Sequence, residues 1–218
     1  MSTASPTRTY TSLEAAYDFF NRELFGGTLP PCLITMQRHK GAYGYFSGER
    51  FASVGDPQEI TDEIALNPAH FASRTPTATL STLVHEMVHL WQHHSGKPSR
   101  TGYHNKEWAA KMREIGLMPS DTGQPGGKDT GQKVSHYIEA GGRFELACTA
   151  YLATGAAILY SDRAGDGDAA KTRKKKAASK TKYTCPGCGT NAWAKPGTNL
   201  VCGDCNEAME ADEPEGEE

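Results

Sequence analysis

The sequence contains no apolar run approaching the roughly 20 residues that a membrane-spanning helix requires. The N-terminal segment MSTASPTRTY also lacks the apolar core of a signal peptide. From these two absences we expect neither a membrane partner nor a secretory route. We therefore expect a cytoplasmic protein, associated with the nucleoid if the source is bacterial.

Cysteine is scarce outside two short motifs. Four of the 6 cysteines form two Cys-x-x-Cys pairs, and Cys32 and Cys148 stand alone in apolar surroundings. In a reducing compartment, such pairs indicate metal binding rather than disulfides. We expect Cys32 and Cys148 to be buried as small hydrophobic residues.

Charge of one sign is missing from two segments near the C-terminus. The formal net charge is −3, and residues 1–160 are nearly neutral, with 14 basic and 15 acidic residues. Residues 171–182 carry seven Lys or Arg and no acid, whereas residues 204–218 carry eight Asp or Glu and no base. The basic segment is suited to nucleic acid and the acidic tail would repel it.

The length of 218 residues suits one ordinary domain of about 150 residues and a small second module. We predict a main domain over residues 10–160 and a compact cysteine module over residues 183–209. Residues 161–182 contain no apolar side chain larger than alanine and are predicted to form a flexible basic linker. Residues 210–218 are predicted to be an acidic disordered tail.

The pattern of the main domain predicts an α+β fold with a small sheet of about three strands. A first helix is predicted to start at Thr11, which has capping-box spacing to Glu14, and to stop at Gly26-Gly27. Strands are predicted at 32–36, 42–46 and 59–66, with a Ser-Gly turn after the second. Helices are predicted at 77–94, 105–115 and 143–159, with a loop at 119–133 and an extended piece at 137–138.

The motif His85-Glu86-Met87-Val88-His89 lies inside the predicted helix at 77–94. On a helix, His85 and His89 are one turn apart on the same face, so both imidazoles can reach one ion. Glu86 is offset from them and is the candidate general base, which takes a proton from water activated by the metal. Zinc is the ion that this arrangement holds in peptidases.

A third ligand is required, and His93 continues the spacing of four residues. His93 would however lie about 12 Å from His85 along the helix axis, so we expect His93 and His94 to be solvated. His104 is better placed, because the break at residues 95–103 lets the chain turn back. From the residues alone, a surface histidine at a helix start remains an alternative for His104.

Three further histidines lie outside the motif. His39 and His70 are weak candidates for the metal site, and His136 is a candidate for a contact to a ligand or to substrate. Tyr137 is a candidate contact to a substrate or to the oxyanion. The alternative for Tyr137 is a strand residue that packs on the core.

Two segments resemble the SprT-like peptidase domain: the run from Leu80 to His89, and the run Gly102-Tyr103-His104-Asn105-Lys106-Glu107-Trp108. This family includes the Spartan proteases, which digest proteins crosslinked to DNA. The gap of 14 residues between His89 and His104 is similar to the family's and longer than that of metzincins. The resemblance covers about residues 10–160, with Gly44-Tyr45-Phe46 and Leu66-Asn67-Pro68 also similar. It implies a zincin-like fold and His104 as third ligand.

The cysteine module contains Cys185, Cys188, Cys202 and Cys205, with 13 residues between the two pairs. Four thiolates in this spacing form a closed, tetrahedral zinc site, which is structural rather than catalytic. The module is too small to form a hydrophobic core of its own, so we expect metal binding to supply its free energy of folding. It resembles the zinc ribbon that the SprT branch of the family often carries.

Candidate DNA contacts lie at and before this module. They are Lys174, Lys175 and Lys176 in the basic segment, and Trp193, which is suited to stacking on a base. A core-filling role for Trp193 inside the ribbon is equally open.

Together these features predict a zinc-dependent endopeptidase with one catalytic and one structural zinc ion. Its expected partners are protein substrates and DNA, with single strands favoured, and self-cleavage within residues 161–182 is a further hypothesis. One alternative is a DNA-binding or transcription-associated zinc-ribbon protein with little or no peptidase activity. Another is a zinc hydrolase that acts on a non-protein amide. The sequence does not indicate an oligomeric state.

Overall fold

The computed structural model describes residues 7–158, 160–163 and 180–212. The chain divides into two compact units, Met1–Arg163 and Ala164–Glu218, and each is described by itself. Lys174, Lys175 and Lys176 lie outside the described residues. None of the described helices is long and apolar enough to cross a membrane.

The first unit confirms a mixed α+β fold with small sheets. Its elements in chain order are α1 Thr7–Phe25, β1 Cys32–Met36, β2 Gly44–Ala52, β3 Ile60–Leu66, a 3-10 turn Pro68–His70, α2 Pro76–Ser95, α3 Lys106–Glu114, β4 Leu117–Ser120, β5 Ser135–Ile138 and α4 Arg143–Ala153. One sheet has the order β1-β3-β2, with β1 parallel and β2 antiparallel to β3. A second sheet pairs β4 with β5.

Most residues of helix α2 are buried. Thr75 caps it, because its side-chain oxygen accepts a hydrogen bond from the Ala78 N–H, and Pro76 occupies the first turn. The apolar residues of α2 pack with those of the other helices and of β3 in one buried core. The predicted helix at 77–94 is therefore confirmed. Polar residues within such a buried helix require a specific reason to be there.

Helix α1 begins at Thr7, so the prediction of a start at Thr11 was wrong. Thr11 lies inside the helix rather than at its end, and capping-box spacing alone did not decide where the helix begins. The predicted apolar face is confirmed, with its residues buried against the core: Leu13, Ala16, Tyr17, Phe20 and Leu24.

Strand β2 continues past Ser47 and Gly48, so the prediction of a turn at this Ser-Gly pair was wrong. Its register against β3 shifts between Ser47 and Phe51, as in a β-bulge. Glu49 adopts a left-handed conformation with φ of 52° within this bulge. The extra residues bend the strand without ending it, because β3 continues to pair with Phe51 and Ala52.

Two further boundaries differ from prediction. Pro119 and Ser120, predicted to be loop, pair with β5 as part of β4. Helix α4 ends at Ala153 rather than near residue 159, and Gly155 follows with φ of 81°, a conformation suited to ending a helix. Cys148 is buried as expected, whereas Cys32 is only partly buried.

The described residues of the second unit form a small antiparallel sheet. Its strands are β6 Thr181–Thr184, β7 Asn191–Ala194 and β8 Glu210–Ala211, in the order β7-β6-β8. Strand β6 starts within the segment assigned to the linker, and β8 uses two residues assigned to the tail. The sheet of the cysteine module therefore extends beyond the predicted residues 183–209 on both sides, into short segments without an apolar pattern.

Candidate metal centres

Three of the predicted site residues converge at one place in the first unit. His85 and His89 come from α2, and His104 directly precedes the cap of α3. Each offers one ring nitrogen, and these ligand atoms all lie within 4.8 Å of one another. The geometry allows one ion to be bound by all three side chains.

The connection between α2 and α3 brings His104 back to His85 and His89, and hydrogen bonds stabilise this connection. The Gln92 amide donates to Asn105 Oδ1 at 2.8 Å and to Glu107 Oε2 at 2.7 Å. The His104 N–H donates to the Gly131 carbonyl at 2.9 Å, and the Gly131 N–H donates back to the His104 carbonyl at 3.0 Å. The two backbone hydrogen bonds to Gly131 therefore fix the position of His104.

Hydrogen bonding determines which nitrogen of His104 is available. His104 Nδ1 lies 3.2 Å from the Gly131 carbonyl oxygen. A carbonyl only accepts, so Nδ1 carries the proton and Nε2 is left with a lone pair. That Nε2 faces His89 Nε2 at 3.2 Å. Two facing ring nitrogens at this distance need a proton or a metal cation between them.

The imidazoles of this cluster are in the form that binds metals. Burial lowers the pKa of His89 to about 3 and lowers the pKa of His85 and of His104. They are therefore neutral at physiological pH, and neutral imidazole is the ligand form for zinc. Trp108 is fully buried and contacts all three rings, with centroid distances of 4.9, 5.3 and 4.3 Å.

A fourth histidine orients His85. The Ser81 hydroxyl donates to the Ala78 carbonyl at 3.0 Å, so its oxygen accepts from the His136 Nε2–H at 2.9 Å. His136 Nδ1 is then an acceptor, and it lies 3.0 Å from His85 Nδ1. His85 must donate from Nδ1, which leaves its Nε2 free for a metal. This series of hydrogen bonds makes His136 a partner of the candidate ligand His85 rather than a candidate ligand itself.

Glu86 is buried at the same centre, 6% exposed. Burial raises the pKa of its carboxyl to about 8, and a hydrogen bond from the Phe46 backbone acts in the opposite direction. A cation bound nearby favours the carboxylate. A metal at the three imidazoles would therefore hold Glu86 in the form that accepts a proton.

The centre opens into a cleft of about 1130 Å³. Its walls include Gly44 to Gly48 of β2, the 98–104 connection and residues of β5, among them Tyr137. His39 and His93 also line the cleft. Tyr137 is half-buried and pairs with Met118 across the second sheet. The structure thus places Tyr137 at the cleft and in a strand at once.

His93 and His94 are exposed at the end of α2, apart from the three converging histidines. They are exposed to solvent as expected, but each also contacts another side chain of the protein. His94 Nε2 donates to Asp62 Oδ2 at 2.6 Å, and the His93 ring packs on Phe46 with centroids 5.5 Å apart. Sequence spacing gave no indication of the Asp62 contact, since it joins residues far apart in the chain.

The four predicted cysteine ligands converge in the second unit. Cys185, Cys188, Cys202 and Cys205 offer sulfur atoms that all lie within 4.8 Å of one another. A side-chain hydrogen bond with Thr190 lowers the pKa of Cys188 to about 6, and a hydrogen bond with Cys188 raises the pKa of Cys205 to about 12. Four cysteine sulfurs in one group fit a tetrahedral metal such as zinc, which binds cysteine as thiolate.

Trp193 is 61% exposed, so the hypothesis that it fills the core of this unit was wrong. Tyr183 is buried instead, and its hydroxyl donates to the Lys195 carbonyl at 2.9 Å. Lys182 lies directly opposite Trp193 in the paired strands. An exposed aromatic ring and a lysine are therefore neighbours on this sheet.

These features define an α+β protein with a candidate metal centre of three histidines beside a buried carboxylate. The chain belongs to the SprT-like family, whose model matches residues 13–130. It is 63% identical over 57 residues to an uncharacterized protein from the mucB 3′ region of Salmonella typhimurium, an alignment covering 26% of this chain and 74% of that protein. The family match ends before the cysteine module, whose identity as a zinc ribbon stays a prediction.

Ser81 and Gln92 are functional candidates that the sequence did not single out. Ser81 lies four residues before His85, on the same helix face, and this spacing is the signal that could have found it. Gln92 carries no such signal, because its partners lie beyond the break after α2.

Proposed function

We propose that this chain is a zinc-dependent endopeptidase that acts on proteins held near DNA. The observation that carries the proposal is the convergence of three neutral imidazoles beside buried Glu86 in an open cleft. A binding module has no use for a buried carboxylate at this position, because burial of an unpaired charge is costly. Membership in the SprT-like family supports the same class.

His85, His89 and His104 would hold the zinc ion, with His85 and His104 using Nε2. When bound, zinc supplies Lewis acidity, which polarises a carbonyl and lowers the pKa of water to near neutrality. Glu86 takes the proton from the attacking water and returns it to the amine that leaves. The Phe46 N–H holds the Glu86 carboxylate in place, and His136 keeps the His85 ring in its tautomer.

A polypeptide fits this cleft better than a small amide. Strand β2 is at the edge of its sheet and its residues Gly44 to Gly48 line the cleft, so it presents backbone groups to an extended chain. Tyr137 and Arg74 also line the cleft. Tyr137 is the candidate that donates to the carbonyl oxygen of the substrate.

DNA association is supported by the second unit. Trp193 offers an exposed ring for stacking, with Lys182 opposite it, and the basic segment 171–182 leads into this sheet along the chain. Stacking on an exposed ring requires an unpaired base, which favours single-stranded DNA. In this proposal the second unit brings the peptidase to its substrates.

The test is a gel assay of the zinc-loaded full chain with casein and histone substrates, with and without single-stranded DNA. The expected result is cleavage by the wild type, stimulated by DNA for histone, and none by Glu86→Gln. Cleavage without stimulation would remove the DNA role and keep the enzyme. Hydrolysis of small amides without protein cleavage, or DNA binding without any hydrolysis, would replace the proposal by one of its alternatives.

A further inference from the structure

A second group of metal-ligating side chains lies at the C-terminal end of α2, one turn beyond His89. Asp62 of β3 and His93 and His94 from the last turn of α2 offer ligand atoms within 4.8 Å of one another. Atoms that bind one ion at about 2.1 Å lie about 3–4 Å apart, so small side-chain rotations suffice. No residue of this group belongs to the three-histidine centre or to the proposed mechanism.

The carboxylate of this group is fixed and buried. Asp62 is 4% exposed, and the Glu49 N–H donates to its Oδ1 at 2.7 Å. Glu49 adopts its left-handed conformation in the bulge of β2, which directs this N–H towards Asp62. Oδ2 is left to face His94, at 2.6 Å from Nε2.

The negative charge of Asp62 has little compensation. Within the part of the chain that the structure describes, His94 Nε2 contacts Asp62 Oδ2, and no Lys or Arg nitrogen lies within 4.0 Å of the Asp62 carboxylate. Cys32 and Tyr17 are near Asp62, but burial raises the pKa of Cys32 to about 12 and raises that of Tyr17. Both stay neutral. The last turn of α2 adds the partial negative charge of a helix C-terminus.

His93 is held towards the same place by an independent contact. Its ring lies against Gly48, where a Cβ would be 2.8 Å from the ring. The His93 and His94 rings are nearly perpendicular, at 88°, with centroids 4.9 Å apart. Two imidazoles and one buried carboxylate thus approach one point from two elements.

We propose that Asp62, His93 and His94 form a second binding site for a divalent transition-metal ion in the first unit. Two imidazoles and one carboxylate suit zinc, nickel or cobalt rather than magnesium or calcium. The exposed side of both histidines leaves room for water as the remaining ligands. A bound ion would tie the end of α2 to β3, next to the bulge of the strand that lines the cleft.

The test uses zinc as the probe and the full chain. Equilibrium dialysis against buffered free zinc, followed by elemental analysis, compares the wild type with His93→Ala/His94→Ala. The wild type should bind about one equivalent more than this variant. His70→Ala is the control, because it removes a histidine outside this group and outside the cleft lining and should keep the wild-type content.

Asp62→Asn provides a second variant, since the amide keeps an acceptor for the Glu49 N–H and loses the charge. It should also lose about one equivalent. Equal zinc content in the wild type, His93→Ala/His94→Ala and Asp62→Asn, at every free zinc concentration below nonspecific binding, would overturn the proposal. This difference does not depend on the three-histidine centre, so failure of the proposed peptidase leaves the test intact.

Discussion

The two predicted zinc centres differ in what holds their ligands in place. The three histidines are attached to a buried helix and to a return loop with its own hydrogen bonds, above a fully buried Trp108. The four cysteines lie in the second unit, whose residues 180–212 form three short strands with Tyr183, Cys185 and Cys202 as buried hydrophobic residues. The ligands of the first centre are therefore positioned by the fold, whereas we expect the fold of the second unit to depend on a bound metal.

The largest expected effect is at the cysteine centre. Removal of metal by a chelator, or Cys202→Ser, should unfold the second unit, because structural zinc contributes about 10–16 kcal/mol in small modules. Amide hydrogen exchange should show loss of protection in residues 180–212 alone. Ser73→Ala, a change at an exposed residue of the first unit, is the control. Persistent protection of β6 and β7 without metal would contradict the dependence on metal.

At the histidine centre, His104→Ala should strongly weaken zinc binding without unfolding the domain. Removal of one ligand of three should weaken zinc binding by more than the roughly 10–100-fold typical of an outer-shell change. Competition with a zinc chelator measures the affinity, and circular dichroism monitors the fold. His70→Ala, outside the cleft lining, should retain the affinity. Equal affinity in His104→Ala and wild type would remove His104 from the site.

His136→Ala should weaken zinc binding at this centre by roughly 10–100-fold, because His85 loses the acceptor that fixes its tautomer. Ser81→Ala should act in the same direction and less, since it only removes the partner of His136. His136→Gln, which keeps an acceptor, should restore part of the affinity. The same competition titration checks all three, and no change in His136→Ala would refute the positioning role.

The smallest expected effect is on DNA binding. Trp193→Ala should weaken binding to single-stranded DNA by about 1–3 kcal/mol, since it removes one stacked base. Fluorescence anisotropy with a labelled oligonucleotide measures the change. Tyr10→Ala, an exposed aromatic residue of the first unit, is the control. Unchanged affinity in Trp193→Ala would leave DNA binding, if present, to the basic segment.

The parts of the fold that sequence predicted well are those with local signals. Helix α2 has Pro76 at its start and a strong apolar pattern, and Asn105 marks the start of α3 by its capping side chain. The continuation of β2 past Gly48 depends instead on its pairing with β3. No local pattern carries that information, because a Ser-Gly pair suits a turn and a bulge alike.

The candidate site divides in the same way. His85, Glu86 and His89 were predictable, because their spacing is local to one helix, and His104 followed from a family resemblance. The roles of Ser81 and His136 depend on a contact between residues 55 positions apart. Asp62 similarly contacts His94 across 32 positions. Such contacts are fixed by tertiary packing and cannot be deduced from the spacing of residues along the chain.

The most direct test of the central claim is anomalous diffraction at the zinc edge from crystals of the zinc-loaded chain. We expect one peak bound by His104 Nε2, His85 Nε2 and a ring nitrogen of His89, next to the Glu86 carboxylate. A peak bound by His85 through Nδ1 would contradict the hydrogen-bond chain from Ser81. The absence of any peak between the three histidines would contradict the metal centre and the peptidase proposed from it.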